Sequence, residues 1–280
     1  MTIPNILSIA GVDPSGGAGI AADLKTFAAL GAYGMAAVTA VTVQNTRGVR
    51  GFRLMEPAIV AEQIDAVFDD IRVDAVKIGM VGSAAIAAAI AGVLRRHGAR
   101  HVVLDPVMVA KGGDALLTAD AVAAIRDRLA PLAEVITPNL PEASVLLGAA
   151  EPTELDGMRA MARDLLRLGP ASVLLKGGHL DGPDSTDIYA DSETAEAFTA
   201  PRIATKNTHG TGCTLSSAIA ALLPCHPRLE AIRLAKVYVT GAIAAADRLD
   251  VGSGHGPLHH PYRTVATLPL SRSAPISSGE

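Results

Sequence analysis

The most specific chemical signal in this 280-residue chain is the string Asn207-Thr-His-Gly-Thr-Gly-Cys213, which stands directly before an apolar helical stretch, 214–223. Gly210 and Gly212 carry no side chain, so a ligand can touch the backbone there. The first N–H groups of a helix lack partners within the helix, and the helix start carries partial positive charge, so both attract anions. We therefore expect an anion hole at this string, and a phosphoryl group in transfer fits it.

Cys213 falls in the first turn of that predicted helix. The helix dipole and any bound metal lower the pKa of a thiol there from its free value of about 8.5, so Cys213 is a candidate general base. The alternative is that a single cysteine before an apolar helix only packs against its neighbours. The position directly after Gly-Thr-Gly favours the functional interpretation. Cys225, between a proline and a histidine, has no such setting, and we interpret it as structural.

A second group of polar residues follows the predicted strands, where open α/β sheets bind their ligands. Asp105 ends one predicted strand, and Asn139 and Glu142 lie three residues apart at the start of a predicted helix. Carboxylates that also meet phosphate oxygens and water suit Mg²⁺. Lys176 ends another predicted strand and can present its ammonium to a phosphate. The alternatives are an acid that complements a helix dipole for Glu142 and a solvated charge for Lys176.

The third candidate is the glycine-rich segment Gly11 to Gly19, between a predicted strand and a predicted helix. It contains a Gly-x-Gly-x-x-Ala string, which is typical of a dinucleotide-binding turn. A dinucleotide site would also need an acidic residue for the ribose, about 20 residues after the glycines. The chain has no Asp or Glu between Asp23 and Glu56, which argues against such a site. The chain has no Walker A string either. A tight strand-to-helix turn without a ligand is the alternative.

The composition argues against several classes of protein. Hydrophobic residues make up 49% of the chain, but with 4 Phe, 4 Tyr and no Trp the core must be mostly aliphatic. A net charge of −4 and few aromatic rings disfavour nucleic-acid binding. The longest apolar run, residues 84–94, is about half the length of a membrane span. We expect neither a signal peptide nor a disulfide framework, and we place the protein in the cytoplasm.

Short apolar runs alternate with amphipathic helical stretches, which predicts an α/β fold with a mostly parallel central sheet. Strands are expected at 6–11, 33–43, 75–78, 101–104, 135–136 and 172–176, with an antiparallel edge pair at 186–190 and 194–200. Helices are expected at 20–30, 57–68, 83–97, 119–129, 141–147, 155–168, 213–223 and 229–249. We find no linker or repeat, so residues 1–263 form one predicted domain. The tail, 264–280, is expected to be loosely ordered.

Several strings of the chain together resemble those of the ribokinase superfamily, and within it those of the hydroxymethylpyrimidine and phosphomethylpyrimidine kinases. The strings are Ala10-Gly-Val-Asp-Pro-Ser-Gly-Gly-Ala-Gly-Ile20, Ala22-Asp-Leu-Lys-Thr-Phe27, Leu30-Gly-Ala-Tyr-Gly34, Gln44-Asn-Thr46, Lys77-Ile-Gly-Met80, Asp105-Pro-Val-Met108, Ile136-Thr-Pro-Asn-Leu-Pro-Glu142, Lys176-Gly-Gly-His179 and Thr205-Lys-Asn-Thr-His-Gly-Thr-Gly-Cys213. The resemblance implies a ribokinase-like three-layer α/β/α sandwich. It also implies ATP-dependent phosphorylation of 4-amino-5-hydroxymethyl-2-methylpyrimidine, then of its monophosphate, for thiamine synthesis.

The resemblance carries roles for residues on the substrate side. Gln44 matches the family's pyrimidine-reading position, and its amide offers a donor and an acceptor to the ring nitrogen and exocyclic amine. Gly11 and Asp23 are expected beside the same pocket, although Asp23 could instead serve only as an acid near a helix start. Met80 and Val107 would give the flat ring apolar walls.

On the phosphate side, the resemblance implies an ATP site with Mg²⁺. The residues expected to hold the nucleotide and its phosphates are Asn139, Lys176, Thr208, Gly210, Thr211, Gly212 and Cys213. Asp105 and Glu142 are expected to help place Mg²⁺. A homodimer and a lid at Ala110 to Asp114 are further expectations, and assistance by K⁺ is left open.

Three alternatives remain open on the sequence. A pyridoxal kinase is the nearest, because pyridoxal also carries a hydroxymethyl group on a flat nitrogen heterocycle; Gln44 and Met80 favour the aminopyrimidine. A dinucleotide oxidoreductase and a non-catalytic ligand sensor are the others. Ribokinase-like enzymes usually carry Asp where this chain has Cys213. The hydroxymethylpyrimidine and phosphomethylpyrimidine kinases resemble this chain in carrying Cys at that position. A thiol base requires either a lowered pKa or a role that develops as the substrate hydroxyl loses its proton.

Overall fold

The computed structural model describes residues 2–108, 118–178 and 180–263. Within these ranges nine strands form one sheet in the order β3-β2-β1-β4-β5-β6-β7-β8-β9. The strands are β1 (Asn5–Val12), β2 (Tyr33–Asn45), β3 (Gly48–Leu54), β4 (Ala75–Ile78), β5 (Val102–Leu104), β6 (Val135–Ile136), β7 (Ser172–Leu175), β8 (Asp184–Asp191) and β9 (Ala195–Pro201). The predicted lid, Ala110 to Asp114, and the predicted tail, 264–280, lie outside the described residues.

Eight α-helices connect or follow these strands in the described part of the chain. They are α1 (Gly19–Ala29), α2 (Pro57–Asp70), α3 (Ala84–Arg96), α4 (Ala119–Ala124), α5 (Leu140–Leu147), α6 (Leu155–Leu166), α7 (Thr211–Leu222) and α8 (Arg228–Ala244). A π-helical turn, Ile125–Leu129, continues α4, so the predicted helix at 119–129 changes its hydrogen bonding halfway. The last predicted helix, 229–249, ends earlier, and a 3₁₀ turn at Ala246–Arg248 follows it.

The middle of the sheet is parallel, as the alternation of elements predicts. Strands β2, β1, β4, β5, β6 and β7 pair parallel, and β3, β8 and β9 add antiparallel edges. Every side chain of β4 and of β7 is buried, without alternation along the strand. Helices therefore cover both faces, and the α/β prediction is confirmed.

Two aliphatic layers pack against the two faces of the sheet. On one face, Val60 and Ile64 of α2 and Ile86 of α3 belong to a buried cluster that extends to α6. On the other face, the second cluster joins Phe27 of α1, Ile219 of α7 and residues of α8. This is the three-layer α/β/α sandwich expected from the resemblance.

The sequence prediction missed β3 and ended β2 two residues early. The missed strand, Gly48–Leu54, contains two glycines and two arginines and lies on the open edge of the sheet, so it carries no apolar run. It pairs antiparallel with the distal half of β2. This hairpin extends β2 to Asn45 and therefore places Gln44 on a strand rather than in a loop.

In the ranges that the structure describes, no helix is both long enough and apolar enough to span a membrane.

Candidate active site

A cavity of about 770 Å³ opens at the carboxyl ends of the parallel strands, beside the start of α7. Thirteen of the fourteen predicted site residues line it: Gly11, Gln44, Met80, Asp105, Val107, Asn139, Glu142, Lys176, Thr208, Gly210, Thr211, Gly212 and Cys213. They come from six different strand ends and one helix start. The parallel sheet brings them together because its strands all end at the same edge.

The start of α7 has the backbone geometry that the anion-hole prediction requires. Gly210 precedes the helix with φ +81°, a left-handed conformation that side chains disfavour. A Cβ on Gly210 would collide with the carbonyl oxygen of Gly17, so the two glycine-rich loops pack backbone against backbone. Thr211 closes the turn by donating its hydroxyl to the Thr208 carbonyl at 2.8 Å. The start of α7, from Gly210 to Cys213, lines the cavity, and its two glycines put no side chain between their backbone and a ligand.

The Lys176 ammonium meets this helix start. A Cβ on Gly212 would lie only 3.1 Å from Lys176 Nζ. The ammonium donates to Asp105 Oδ1 at 3.0 Å and lies 3.8 Å from Glu142 Oε2. Burial alone would lower the pKa of Lys176, but the two carboxylates raise it above its usual value. The ammonium stays charged, so two sources of positive charge converge at one end of the cavity.

Asp105 and Glu142 have different electrostatic states although both contact Lys176. Burial opposes ionisation of Asp105, yet Lys176 and Lys77 hold its pKa below the usual value. For Glu142, burial raises the pKa to about 7, and the attraction of Lys176 offsets this only in part. Asp105 is therefore the permanent anion of the pair, and Glu142 can titrate near neutral pH.

Glu142 also performs the structural role that the sequence left open. It forms a capping box with Asn139 at the start of α5. The Asn139 side-chain oxygen Oδ1 accepts from the backbone N–H of Glu142, and Glu142 Oε2 accepts from the backbone N–H of Asn139, both at 2.8 Å. The Asn139 side chain is thus engaged by the helix. Glu142 combines a helix cap with a place in the cavity wall.

The carboxylates of Asp105 and Glu142 fit a Mg²⁺ ion bound mainly through phosphate. Mg²⁺ in nucleotide sites takes one or two carboxylates and fills its coordination with phosphate oxygens and water. Both residues line the cavity beside Lys176. Among the residues the structure describes, no three His, Cys, Asp or Glu side chains are grouped as a self-sufficient metal site. The chain alone does not enclose the ion, so the donor set suits a metal that arrives with a nucleotide.

The expected lowering of the Cys213 pKa is wrong for this arrangement. Burial raises the pKa of the thiol to about 11; the positive charge of Lys77 lowers it in part, and the charges of Asp105 and Asp23 raise it further. The Gly19 amide donates to the sulfur, which favours the thiolate but does not offset burial. A thiol with this pKa is almost entirely protonated at neutral pH.

Asp23 is the predicted site residue that the structure does not bring to the cavity. Its side chain is fully buried and accepts four hydrogen bonds: two from Lys77 Nζ at 2.9 and 3.0 Å, one from Ser8 at 2.6 Å and one from Ser217 at 2.6 Å. These partners leave it no room to touch a substrate. The prediction that Asp23 lies beside the substrate pocket is therefore wrong: Lys77 lines the cavity, and Asp23 holds the Lys77 ammonium from within the core.

Another part of the cavity wall is apolar. Met80 packs with Ala40, Val107 and Phe52 in a small separate cluster. A Cβ on Gly11 would lie 3.2 Å from Met80 Sδ, so the absence of a side chain on Gly11 makes room for the thioether. Gln44, near the end of β2, lines the same cavity. An aromatic ring with a hydrogen-bonding edge fits such a surface.

Asp13 and His209 form a buried pair at the cavity that sequence reasoning missed. His209 Nε2 lies 2.8 Å from Asp13 Oδ2. Burial would raise the pKa of Asp13, but hydrogen bonds from His209 and Ser15 lower it to about 2. Both residues stand in the glycine-rich strings, which was the available signal. Their 196-residue separation gives no indication that they are partners.

Fold and site together define the class of protein: a ribokinase-like phosphotransferase, with its cavity at the carboxyl edge of the sheet and a lysine at the start of a helix. A family model described as phosphomethylpyrimidine kinase matches residues 13–259. The chain belongs to this family.

Individual relatives agree with this assignment. The hydroxymethylpyrimidine/phosphomethylpyrimidine kinase of Escherichia coli (strain K12) is 53% identical over 257 residues, which cover 91% of this chain and 97% of the relative. The solved phosphomethylpyrimidine kinase of Clostridium difficile 630 is 44% identical, with a TM-score of 0.76 and coverage of 86% of this chain and 99% of that one. An ADP complex of a Bacillus subtilis pyridoxal kinase is 38% identical, with a TM-score of 0.87 and coverage of 94% and 99%.

Proposed function

We propose that this protein transfers the γ-phosphoryl group of ATP to the hydroxymethyl group of 4-amino-5-hydroxymethyl-2-methylpyrimidine, and then phosphorylates the monophosphate to the diphosphate, in thiamine biosynthesis. The proposal is supported most directly by one cavity that is lined both by Gln44 with the apolar Met80 and Val107 and by Lys176 with the start of α7, whose Gly212 lies against the ammonium. Membership of the phosphomethylpyrimidine kinase family supports the same substrate class.

The phosphate end of the cavity supplies positioning and charge. The hydroxymethyl oxygen attacks the γ-phosphorus, the bond from that phosphorus to the β–γ bridging oxygen breaks, and ADP leaves. Lys176 and the amides from Gly210 to Cys213 stabilise the charge on the transferring oxygens. Asn139, Thr208 and Thr211 border the nucleotide phosphates. Asp105 and Glu142 would hold Mg²⁺, which neutralises phosphate charge when bound.

The hydroxyl proton requires an acceptor, and we assign this role to the thiolate form of Cys213. Because burial raises the pKa of this thiol to about 11, the thiolate is a minor species at neutral pH. In phosphoryl transfer the hydroxyl becomes acidic late, as the new oxygen–phosphorus bond forms, so the base is needed late as well. The minor thiolate limits the rate, not the binding of either substrate.

The substrate end of the cavity holds a flat ring by its edge and its faces. Met80 and Val107 contact the ring faces, Gly11 leaves space for them, and the Gln44 amide pairs with the ring nitrogen and the exocyclic amine. A site built to pair both polar groups discriminates against a ring that lacks one of them.

A pyridoxal kinase is the second candidate, because the solved pyridoxal kinase of Bacillus subtilis has the higher TM-score of the two structures compared. A coupled ADP-release assay with hydroxymethylpyrimidine, its monophosphate and pyridoxal side by side tests both. We expect the highest kcat/KM for the pyrimidine alcohol and measurable turnover of its monophosphate. A higher kcat/KM for pyridoxal would contradict the proposal. Exchanging K⁺ for Na⁺ in the same assay tests a monovalent-cation requirement.

We further infer that two copies associate and that the protein works in the cytoplasm. Val41 and Val43 lie on the same face of β2 and are 49% and 51% exposed, so a second copy could cover this apolar face of the hairpin. The cytoplasm supplies ATP and keeps thiols reduced, which the free Cys213 requires as a base.

A further inference from the structure

Three polar side chains stand in a row along the cavity wall: Asp13, His209 and Gln44. His209 Nε2 lies 2.8 Å from Asp13 Oδ2 on one side and 3.3 Å from the Gln44 amide on the other. The other end of that amide lies 3.2 Å from Thr42 Oγ1. All four side chains line the cavity. The row therefore connects the first glycine-rich loop to the group that would read the substrate ring.

The protons in this row follow from Asp13. Its carboxylate already accepts from the amide and the hydroxyl of Ser15, at 2.8 and 2.7 Å, and from the amides of Gly17 and Ala18, at 3.2 and 2.9 Å. These bonds, with the pKa of Asp13 near 2, keep the group ionised, so it can only accept. His209 Nε2 must then carry a hydrogen and donate it to Asp13.

The His209 ring is buried and packs against the first glycine-rich loop. The backbone amide of His209 donates to the Gly256 carbonyl at 3.0 Å. The ring edge lies so close to Gly17 that a Cβ there would overlap its Cδ2 atom. The Gly256 bond holds the His209 backbone, Gly17 leaves space for the ring, and the 2.8 Å bond to Asp13 orients the Nε2–H along the row.

This fixed donor determines how the Gln44 amide must lie. As placed, Gln44 Nε2 lies 3.3 Å from His209 Nε2, which sets two N–H donors against each other; after a half-turn of the amide its carbonyl oxygen accepts from His209 instead. With the carbonyl toward His209, the NH₂ faces Thr42 Oγ1. The Thr42 hydroxyl donates to the Val12 carbonyl at 2.9 Å, so its lone pairs are available to accept from that NH₂. In this orientation the single Nε2–H of His209 is shared between Asp13 Oδ2 at 2.8 Å and the Gln44 carbonyl, whereas the reverse orientation sets two N–H groups against each other.

We propose that His209 is a positioning residue that locks the orientation of the Gln44 amide and so determines which way round an aminopyrimidine binds. This inference rests on the proposed function. The carbonyl on the His209 side would accept from the exocyclic amine, and the NH₂ on the Thr42 side would donate to the ring nitrogen. In the substrate the hydroxymethyl group is attached next to the carbon that bears the amine. It would therefore lie on the His209 side, toward Gly210 to Cys213.

A double-mutant cycle between His209 and Gln44 tests the lock. His209→Phe keeps a flat ring against Gly17 but removes the N–H donor. The freed amide must be ordered by each substrate and can bind it the wrong way round, so we expect kcat/KM for the aminopyrimidine to fall roughly 5- to 20-fold. In a Gln44→Met background the same substitution should cost no more than about twofold, because no amide remains to be locked. His209→Gln, which retains an N–H donor, should recover most of the loss.

The result that overturns the proposal is an equal loss from His209→Phe in both backgrounds, or no loss in the first. If His209→Phe fails to fold, as thermal unfolding would show, Thr42→Val in the same two backgrounds replaces it, since this substitution frees the amide from its other end. Should the protein phosphorylate no pyrimidine alcohol, the proposed function fails. The same cycle is then measured on the Kd of the aminopyrimidine by calorimetry. A larger effect of the His209 substitution on this Kd with Gln44 present than with Met at position 44 supports the lock. Equal effects in the two backgrounds, or no binding of the aminopyrimidine at all, overturn the proposal.

Discussion

The Lys77 ammonium lies 2.9 Å from Asp23 Oδ2, and both side chains are completely buried one helical turn below Cys213. Ser217, four residues after Cys213 on α7, donates to the same carboxylate at 2.6 Å and fixes the helix over the pair. The two charges act on the thiol in opposite directions: Lys77 lowers the Cys213 pKa and Asp23 raises it. Because the two charges shift the Cys213 pKa in opposite directions, replacing each in turn shows whether the Lys77–Asp23 pair acts on the thiol through its charges or only through packing.

We therefore predict that Asp23→Asn lowers the pKa of the Cys213 thiol and Lys77→Met raises it. Both substitutions break a buried ion pair and should destabilise the fold, at a cost on the order of 3–5 kcal/mol for an unpaired charge. The measurement is the pH dependence of iodoacetamide alkylation in a Cys225→Ser background, where Cys213 is the remaining thiol. Shifts of the same sign in the two variants would show that the pair acts through packing alone.

Cys213→Ala is expected to lower kcat by about 10²–10⁴-fold, the usual contribution of a general base. The anion hole uses backbone amides, so the Kd for ADP should stay within about twofold of the unsubstituted protein. Turnover near that of the unsubstituted protein would remove Cys213 from the mechanism.

The same assignment predicts the pH profile. With the Cys213 pKa at about 11, kcat should rise roughly tenfold per pH unit above neutrality until another step limits it. Cys213→Asp is the matched control above about pH 8, where Glu142 with its pKa of about 7 is already ionised: a carboxylate base should not show the tenfold rise per pH unit.

Glu142→Gln tests the carboxyl whose pKa burial raises to about 7. The folded protein binds this proton more tightly than the unfolded chain. The stabilisation is therefore complete below about pH 4.5 and is lost as the pH rises through 7. Without Mg²⁺, the Tm of the Gln variant relative to that of the unsubstituted protein should increase by roughly 3–10 °C between pH 5 and pH 8. A difference in Tm that does not change with pH would contradict the raised pKa.

The association of two copies through β2 can be tested at the two exposed valines. Val41→Lys with Val43→Lys should convert a dimer into a monomer, measured by light scattering after gel filtration, because a lysine pair cannot be buried in an apolar contact. Val237→Lys is the matched control: this valine is 48% exposed on α8, and the dimer should persist. A monomer before any substitution would refute the inferred association.

The sequence predicted most of the sheet and nearly the whole cavity wall because parallel strands leave two clear marks, apolar runs and polar residues at their carboxyl ends. It failed where the determining partner is remote. Asp23 could be placed near the pocket by its motif, but its direction depends on Lys77, 54 residues away. The Cys213 pKa was expected to fall from the helix dipole, whereas burial, a tertiary property, raises it. β3 has no apolar run because it is an edge strand: it pairs with β2 alone, and its other edge is open.

Gly212→Ala isolates the contact between α7 and Lys176. Alanine favours a helix over glycine by about 0.5–1 kcal/mol, so the substitution should maintain or raise the Tm. Its Cβ, however, would lie 3.1 Å from Lys176 Nζ and 3.8 Å from Asp105 Oδ2, which displaces the ammonium from the helix start. We expect kcat to fall by about tenfold or more, since transition-state charge is stabilised only by donors in place. Gly92→Ala in α3 is the control, because its Cβ would meet nothing within 4 Å and should raise the Tm without changing kcat. If Gly212→Ala behaves like this control, Lys176 and the helix start do not act on the same phosphoryl group.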